Sequence, residues 1–336
     1  MRAVRWHARD DVRLDEVPVP TPGPTQVLVR VEAAAICGTD VDEVRLGPIT
    51  VPVRPHPVNG RSAPITLGHE IVGVVADAGP AAGVAVGARV APWPSQPCGR
   101  CRDCVTGHAN RCSLMVSLGM SADGGMADYL VVEGSRCVPV GADVEPERVV
   151  LVEPFAVALH GVHQVEIAGR RVAVIGIGSL GLCVVEAAIQ AGAGEVIAVS
   201  RSEGPRNAAR EAGATAALPL EQAGDVDAEV VFETAGAAQA IAASFAAVRR
   251  GGRILVLGGH PKPTEIGLLD LTIREVALQG SVSHCFADFV AAARSITAGD
   301  LARAPRQVEF SPLEAGPALL RAEGATAKRI LRPSQP

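Results

Sequence analysis

The sequence predicts an α/β protein in which a β-rich part precedes a doubly wound parallel sheet. Two observations support this prediction. Up to about residue 91, short stretches alternate apolar and polar residues, which is the period of half-buried strands. From Leu151 onward, apolar strands alternate with apolar helices, an order typical of a parallel sheet covered by helices. The 336 residues are enough for two ordinary domains with a substantial core.

The composition excludes several classes of protein. Hydrophobic residues make up 48% and charged residues 20% of the chain, whereas aromatic residues are only 3%, so the core must consist mostly of aliphatic side chains. The net charge is -5 and the basic residues are scattered, so we expect no nucleic-acid partner. The N-terminus has no apolar signal core, and the apolar runs are too short to cross a membrane. We therefore expect a cytoplasmic protein without a membrane partner.

The β-rich first part consists of short strands separated by turns. Prolines mark the turn before the third strand, and a proline-rich insertion runs from Gly47 to Pro64. The predicted strands are Ala3–Trp6, Val12–Asp15, Gln26–Glu32, Ile71–Val75 and Gly87–Ala91.

The second part alternates strands with helices, and its strands are short apolar runs. The predicted strands are Val172–Ile175, Val196–Val199, Glu229–Phe232, Arg253–Leu257 and Glu275–Gly280. The predicted helices are 153–165, Leu182–Ala191, Pro205–Ala212, Ala237–Val248 and Asp288–Ala298. The tail, with Val308–Phe310 and Lys328–Leu331, resembles strands again, and we expect it to return to the first domain.

A glycine-rich turn follows the first strand of the second part, in the pattern Gly176-x-Gly178-x-x-Gly181. In a dinucleotide-binding turn, the first glycine permits a tight bend, the second lets the backbone approach a pyrophosphate, and the third lets helix and strand pack closely. Free N–H groups at the start of the helix would bind the phosphates. The predicted cofactor-binding residues of this turn are Gly176, Gly178, Ser179, Leu180 and Gly181.

Four cysteines lie in one loop, at Cys98, Cys101, Cys104 and Cys112. Their spacing allows four thiolates to surround one tetrahedral Zn²⁺. Because cysteine fills all four ligand positions, this zinc would be structural: it would hold the loop in place and take no part in chemistry.

Further short motifs complete a family pattern, namely Cys37-Gly38-x-Asp40, Gly68-His69-Glu70 and Glu153-Pro154. Together with the glycine turn and the four-cysteine loop, they make the chain resemble the zinc-dependent medium-chain alcohol dehydrogenases over nearly its full length. The resemblance implies a GroES-like β-rich catalytic domain, residues 1–150 completed by 286–336, and a Rossmann dinucleotide-binding domain, residues 151–285. The proline-rich insertion is most similar to that of the 2,3-butanediol and sorbitol (polyol) dehydrogenase branch.

The resemblance also implies a catalytic zinc. Cys37 and His69 would bind it, with Glu70 or Glu153 as the third protein ligand, and the sequence leaves open which glutamate binds. Zinc would act as a Lewis acid on the substrate oxygen while hydride passes between the substrate carbon and the nicotinamide. By analogy, the hydroxyl of Thr39 is the nearest to the metal and would begin the proton relay.

Two residues have open roles. Asp42 stands where many relatives place a histidine, so it is either part of the proton relay or a solvated loop carboxylate. His56, inside the insertion, either lines the substrate entrance or lies on the surface.

The end of the second parallel strand indicates which nicotinamide cofactor binds. An NAD site uses Asp or Glu about 20 residues beyond the glycines, but here Val199 is followed by Ser200-Arg201-Ser202. A hydroxyl and a guanidinium suit a 2′-phosphate, and Arg206 would assist. We therefore predict NADP(H) over NAD(H), with a ribose contact from Glu203 in a shifted loop as the alternative.

The leading hypothesis is a zinc-dependent oxidoreductase that interconverts a small secondary alcohol, diol or polyol with its ketone. The alternatives are a biosynthetic carbonyl reductase on a specialised substrate, a zinc-free quinone or enoyl reductase, and a non-enzymatic nucleotide sensor that holds only the structural zinc. The presence of Cys37, His69, Glu70 and Glu153 argues against the zinc-free enzyme. By analogy, the strand near Glu275–Gly280 would pair edge to edge and give a homodimer or homotetramer.

Overall fold

A computed structural model describes residues 1–299, 308–322 and 327–333. These residues form two compact units. The first comprises Met1–Glu153 together with the described residues from Cys285 onward, and the second comprises Pro154–His284. Among the described residues, no helix combines the length and the apolar character that crossing a membrane requires.

Strands and short helices occur along the whole described chain. In chain order the strands are β1 (Arg2–Ala8), β2 (Asp11–Glu16), β3 (Gln26–Ala35), β4 (Ile65–Thr66), β5 (Glu70–Ala78), β6 (Arg89–Pro92), β7 (Ser95–Gln96), β8 (Val116–Ser117), β9 (Tyr129–Glu133), β10 (Cys137–Pro139), β11 (Arg171–Ile175), β12 (Glu195–Val199), β13 (Ala216–Leu218), β14 (Ala228–Glu233), β15 (Val248–Val256), β16 (Ala277–Gly280), β17 (Val308–Pro312) and β18 (Lys328–Arg332). The helices are α1 (Gly38–Leu46), α2 (Arg102–Val105), α3 (Pro146–Val149), α4 (Val152–His163), α5 (Ser179–Gln190), α6 (Glu203–Glu211), α7 (Ala238–Ala247), α8 (Leu268–Arg274), α9 (Phe286–Ala298) and α10 (Gly316–Arg321).

The second unit contains the predicted parallel sheet. Its six strands run in the order β13-β12-β11-β14-β15-β16, and every neighbouring pair is parallel. From β11 the chain proceeds to β12 on one side and later returns to β14 on the other, so the strand order reverses between β11 and β14. Open α/β sheets bind their ligands at such a switch point, outside the carboxyl ends of the strands. The predicted α/β fold with a doubly wound sheet is therefore confirmed.

Strand β3 lies near the centre of the larger sheet of the first unit. This seven-stranded sheet runs β10-β6-β5-β3-β18-β17, and β9 also pairs with β3. β3 continues to Ala35 instead of ending at Glu32, because the alanines at its end are buried and pair with β5 and β18. Ala35 lies opposite Glu70 on one side and Ile330 on the other. Three segments that are distant in the sequence therefore meet at this end of β3.

Some elements gave no recognisable signal in the sequence. β13 has three residues, too few to display a period. α1 follows Cys37 and contains mostly polar residues. Asp40 and Glu43 are buried because their carboxylates accept hydrogen bonds from backbone N–H groups. α8 has no buried residue, so its apolar side chains form no stripe that packs on a core.

Candidate active site

The candidate active site of the first unit is a cluster of three side chains at the end of β3. Cys37 follows β3 by two residues, while Glu70 begins β5, the strand paired with β3, and His69 directly precedes it. One ligand atom from each side chain lies within 4.8 Å of the others. His69 and Glu70 are buried, with 3% and 1% exposure. The structure thus brings together three of the four residues predicted to bind the catalytic metal.

Cys37 is held at the N-terminus of α1. The Asp40 carboxylate accepts a hydrogen bond from the Cys37 backbone N–H at 2.9 Å, and the Cys37 side chain in turn accepts from the backbone of Asp40. This reciprocal cap fixes the start of the helix and the position of the Cys37 side chain. The Thr39 hydroxyl oxygen lies 3.7 Å from Cys37 Sγ.

His69 has a buried carboxylate beside it. Its Nδ1 lies 3.5 Å from Oδ1 of Asp40. Burial opposes a charged imidazole, but Asp40 and Cys37 outweigh burial and raise the pKa of His69 well above its usual value. A carboxylate next to one ring nitrogen is the usual arrangement for a metal-binding histidine, because it orients the ring and leaves the other nitrogen for the ion.

Lys328 is a site residue that the sequence analysis did not identify. It begins β18, is buried, and places Nζ 2.7 Å from Oε1 and 2.5 Å from Oε2 of Glu70. Burial lowers and Glu70 raises the pKa of Lys328, and the net direction is upward. The available signal was a lysine at the start of a tail strand expected to return to the first domain, where a buried ammonium requires an acidic partner.

Glu153 is not one of the three clustered residues, but its carboxylate is close enough to affect the pKa of Glu70. Burial raises the pKa of Glu70, and the Glu153 carboxylate adds to this effect while Lys328 opposes it.

Asp42 is partly buried in α1, and burial raises its pKa. His56 lies in a turn of the insertion, where its Nδ1 accepts a hydrogen bond from the backbone of Val58 at 3.3 Å.

The four cysteines of the loop come together as one group. Their sulfur atoms lie within 4.8 Å of one another, with 4.0 Å between Cys98 and Cys104 and 3.4 Å between Cys101 and Cys104. Tetrahedral zinc with Zn–S bonds of about 2.3 Å requires sulfur separations of roughly 3.8 Å. Backbone N–H groups of Arg100 and Cys101 lower the pKa of Cys98 to about 6, whereas burial and the neighbouring thiols raise the pKa of Cys104 to about 12. The arrangement fits a structural zinc.

The glycine turn of the second unit has the form that the fingerprint predicts. Gly176 has a φ of +92°, and a Cβ on Gly181 would collide with the carbonyl oxygen of Gly176. Gly178 differs, because its φ is -93° and a Cβ there would meet nothing within 4 Å. The protein itself leaves this space open, directly before Ser179 and Leu180 begin α5. The open space fits the close approach of a pyrophosphate.

The residues predicted to select the cofactor follow β12. Arg201 is exposed and Ser200 is partly exposed. Arg206, on α6, donates from one guanidinium nitrogen to the backbone oxygens of Ser200 and Arg201, at 2.9 and 2.8 Å. In this conformation Arg206 therefore supports the loop that presents the other two side chains. No acidic residue stands at the end of β12, where Val199 and Ser200 adjoin.

Comparisons with known proteins define the class to which this fold and these sites belong. Residues 23–142 match the family model described as the alcohol dehydrogenase GroES-like domain, and residues 179–298 match that of the zinc-binding dehydrogenases. The chain is also 31% identical to (R,R)-butanediol dehydrogenase of Bacillus subtilis over 301 residues, which cover 84% of this chain and 85% of the relative. The chain therefore belongs to the zinc-dependent alcohol dehydrogenase family and is an oxidoreductase that uses zinc and a nicotinamide cofactor.

Individual relatives confirm the predicted branch. Sorbitol dehydrogenase of Bacillus subtilis is 31% identical over 284 residues, which cover 80% of this chain and 77% of the relative. A solved zinc-binding dehydrogenase from Sinorhizobium meliloti 1021, bound to NADP, is 31% identical, with a TM-score of 0.88 and 99% of each chain covered. The structure of 2R,3R-butanediol dehydrogenase from Bacillus subtilis has a TM-score of 0.84 at 28% identity, again with 99% of each chain covered.

Proposed function

We propose that the enzyme oxidises a small secondary alcohol, diol or polyol to its ketone, and catalyses the reverse reduction, at the cluster of Cys37, His69 and Glu70. The observation that carries this proposal is the convergence of these three side chains within 4.8 Å at the paired ends of β3 and β5. The names of the relatives support the substrate class, since butanediol and sorbitol both present a secondary hydroxyl.

We assign the catalytic zinc to Cys37 and His69, with Glu70 or Glu153 as the third protein ligand. When bound, zinc would supply a Lewis acid that polarises the substrate oxygen and makes the hydroxyl more acidic. Asp40 would orient His69, and Lys328 would balance the negative charge of Glu70. Thr39, whose hydroxyl lies 3.7 Å from Cys37 Sγ, would receive the proton that leaves the alcohol and pass it towards solvent.

We assign a second, structural zinc to Cys98, Cys101, Cys104 and Cys112. None of the eight cysteines, all of which lie in the described part of the chain, forms a disulfide, which suits a reducing compartment, and we keep the prediction of a cytoplasmic location for this reason. We also keep, as proposals, the catalytic domain of residues 1–150 and 286–336 and the dinucleotide-binding domain of residues 151–285.

Metal analysis and a substrate panel test the function together. Two zinc ions per chain are expected, and His69→Ala should remove one of them. The same variant should lose activity on diols, polyols and their ketones, which is measured by the change in NADPH absorbance. A single zinc per chain, with activity retained in Cys37→Ala and His69→Ala, would favour a quinone or enoyl reductase whose reaction needs no zinc. A single zinc without turnover of any of these compounds would favour a nucleotide sensor. Strong activity on one elaborate ketone alone would favour the biosynthetic reductase.

We propose that the cofactor is NADP(H) rather than NAD(H). Ser200 and Arg201 supply a hydroxyl and an exposed guanidinium where an NAD site has a carboxylate, and the structural relative from Sinorhizobium meliloti is bound to NADP. Arg206 acts by holding the loop. The ratio of kcat/KM for NADPH and NADH tests this proposal. Arg201→Ala should lower the ratio about tenfold or more, the loss of one charge-assisted contact, whereas a preference for NADH in the wild type would reject it.

We propose a homodimer or homotetramer formed through the edge of the parallel sheet. β16 is the last strand in the sheet order, so its outer backbone groups are available for pairing. The neighbouring α8 exposes Leu268, Leu269 and Ile273, with 71%, 73% and 57% exposure. Exposed apolar side chains of this size beside the open edge of a sheet are typical of an interface. Light scattering should give a multiple of the chain mass, and Leu269→Glu should shift it to the monomer.

A further inference from the structure

A buried carboxylate links two loops of the second unit. Glu233 is the last residue of β14 and has no exposed surface. Its Oε1 accepts hydrogen bonds from the backbone N–H groups of Ala235 and Gly236, at 2.8 and 2.9 Å. Its Oε2 lies 2.9 Å from Nε2 of His260. A charge buried so deeply is stable only when it is paired and hydrogen-bonded, and these partners lie in two loops, 234–236 and 257–260.

The two loops are also interlocked by their backbones. Leu257 and Gly258 donate backbone hydrogen bonds to the carbonyl oxygen of Glu233, at 2.8 and 3.0 Å. A Cβ on Gly258 would collide with the backbone nitrogen of Gly236, and a Cβ on Gly236 would collide with the carbonyl oxygen of Gly259. Since no space separates the loops, a shift of one displaces the other, and the Glu233 carboxylate bonds to both.

The loop 234–236 contacts the glycine turn directly. The Thr234 hydroxyl donates to the carbonyl oxygen of Gly176, and a Cβ on Gly176 would collide with Ala235. Because β11 and β14 flank the switch point, this loop borders the crevice where a dinucleotide binds. If the adenosine half binds near the residues after β12, the half that carries the nicotinamide would lie on the side of β14 and β15.

We propose that Glu233, with His260 as its partner, is a positioning residue for the nicotinamide half of the cofactor. It acts through the loops 234–236 and 257–260, which it holds in one arrangement beside the crevice, so that cofactor binding does not have to order them. The inference rests on the proposed placement of the dinucleotide at the glycine turn.

The variant Glu233→Gln tests the role of the carboxylate at almost constant side-chain volume. If the amide oxygen accepts from Ala235 and Gly236, the amide nitrogen faces Nε2 of His260, which can accept from it only in the tautomer opposite to the one that donates to the Glu233 carboxylate. The full chain is titrated with NADPH and, separately, with adenosine 2′,5′-bisphosphate, which lacks the nicotinamide half. We expect the Kd for NADPH to rise about tenfold, the equivalent of about one hydrogen bond, while the Kd for the adenosine fragment stays unchanged.

Two further variants keep the test decisive. His260→Ala removes the partner from a partly exposed position and should give the same pattern even if Glu233→Gln does not fold. Arg201→Ala is the matched control, because it should weaken NADPH and the adenosine fragment alike. If both Glu233→Gln and His260→Ala leave the Kd for NADPH unchanged, or weaken both ligands equally, the positioning role is wrong.

The same titrations separate this inference from the proposed function. A wild-type chain that binds neither NADPH nor NADH would overturn the cofactor site and the positioning role together. A wild-type chain that binds NADH alone would overturn only the NADP(H) assignment, and the pair NADH and AMP would then replace NADPH and the bisphosphate in the same comparison.

Discussion

The two cysteine-containing clusters of the first unit are built in opposite ways. One cluster consists of the four cysteines of residues 98–112, the thiol loop, and three of these cysteines are partly exposed. The cluster of Cys37, His69 and Glu70 takes its atoms from the ends of two different strands, and two of its three members are buried. The first cluster depends on spacing within a loop, whereas the second exists only when the sheet has formed.

The difference in burial has consequences for charge. In the thiol loop, nearby backbone N–H groups stabilise negative charge, as at Cys98. In the buried cluster, each charge requires a fixed partner, because a buried ion left alone costs several kcal/mol. Asp40 faces His69 and Lys328 faces Glu70 for this reason. Mutations should therefore have large, coupled effects in the buried cluster and local effects in the loop.

The largest effect is expected from His69→Ala. Removal of a proposed metal ligand from the buried cluster should reduce kcat/KM by about 10³-fold or more, equivalent to about 4 kcal/mol of transition-state stabilisation. One zinc per chain should be lost while the loop keeps its own. Steady-state kinetics and metal analysis on the same preparation check both statements. Unchanged zinc content with unchanged activity would show that the cluster is not a catalytic metal site.

Lys328→Met should have the next largest effect, on stability. The substitution keeps the length of the side chain but leaves Glu70 buried without its cation, a change that typically costs about 3–5 kcal/mol. Urea denaturation should show this loss in the metal-free protein and a smaller loss in the zinc-loaded one, since the ion supplies positive charge at the same place.

Lys328→Arg is the matched control for the lysine variant, because it keeps the charge and should recover most of the stability. Equal losses in Lys328→Met and Lys328→Arg would mean that packing rather than charge explains the effect.

The sequence predicts the sites that are formed within one short segment better than the sites that are formed between distant segments. The thiol loop and the glycine turn are local patterns, and the sequence placed their residues in one loop and one strand-to-helix turn. The parallel sheet was predictable because each apolar run encodes its own strand. Cys37, His69 and Glu70 were singled out only by their resemblance to a family, since nothing in their local sequence implies that they meet.

Lys328 shows what local reasoning cannot supply. Its partner lies 258 positions away in the sequence, and the contact depends on the register in which Ala35 faces both Glu70 and Ile330. Glu233 is similar, because a glutamate at the end of an apolar strand does not reveal that two later loops will surround it. Long-range pairing of buried charges is set by tertiary structure, and a single sequence carries no separate signal for it.

Asp40→Asn should sharpen the contrast with a smaller change. Asparagine can still accept the hydrogen bond from the Cys37 backbone, so the start of α1 should survive, but the charge beside His69 is lost. Removing such a partner of a metal-binding histidine typically costs 10–100-fold in metal affinity. Competition with a chelator should show one zinc per chain released more easily and the other unaffected. Equal release of both ions would indicate unfolding rather than a local effect.

The smallest effect on activity is expected from Cys104→Ser. The four sulfur atoms of the thiol loop come from one segment, residues 98–112. Loss of the zinc bound there should therefore open that segment locally and leave the buried cluster assembled. Zinc content should fall by one ion per chain and proteases should cut within residues 98–112, while kcat/KM should fall less than about tenfold, or about 1.4 kcal/mol. His69→Ala lacks the other ion and is the natural counterpart. If Cys104→Ser abolished turnover as completely as His69→Ala, the loop could not be purely structural, and the distinction between a local cluster that stabilises and a dispersed cluster that reacts would not hold.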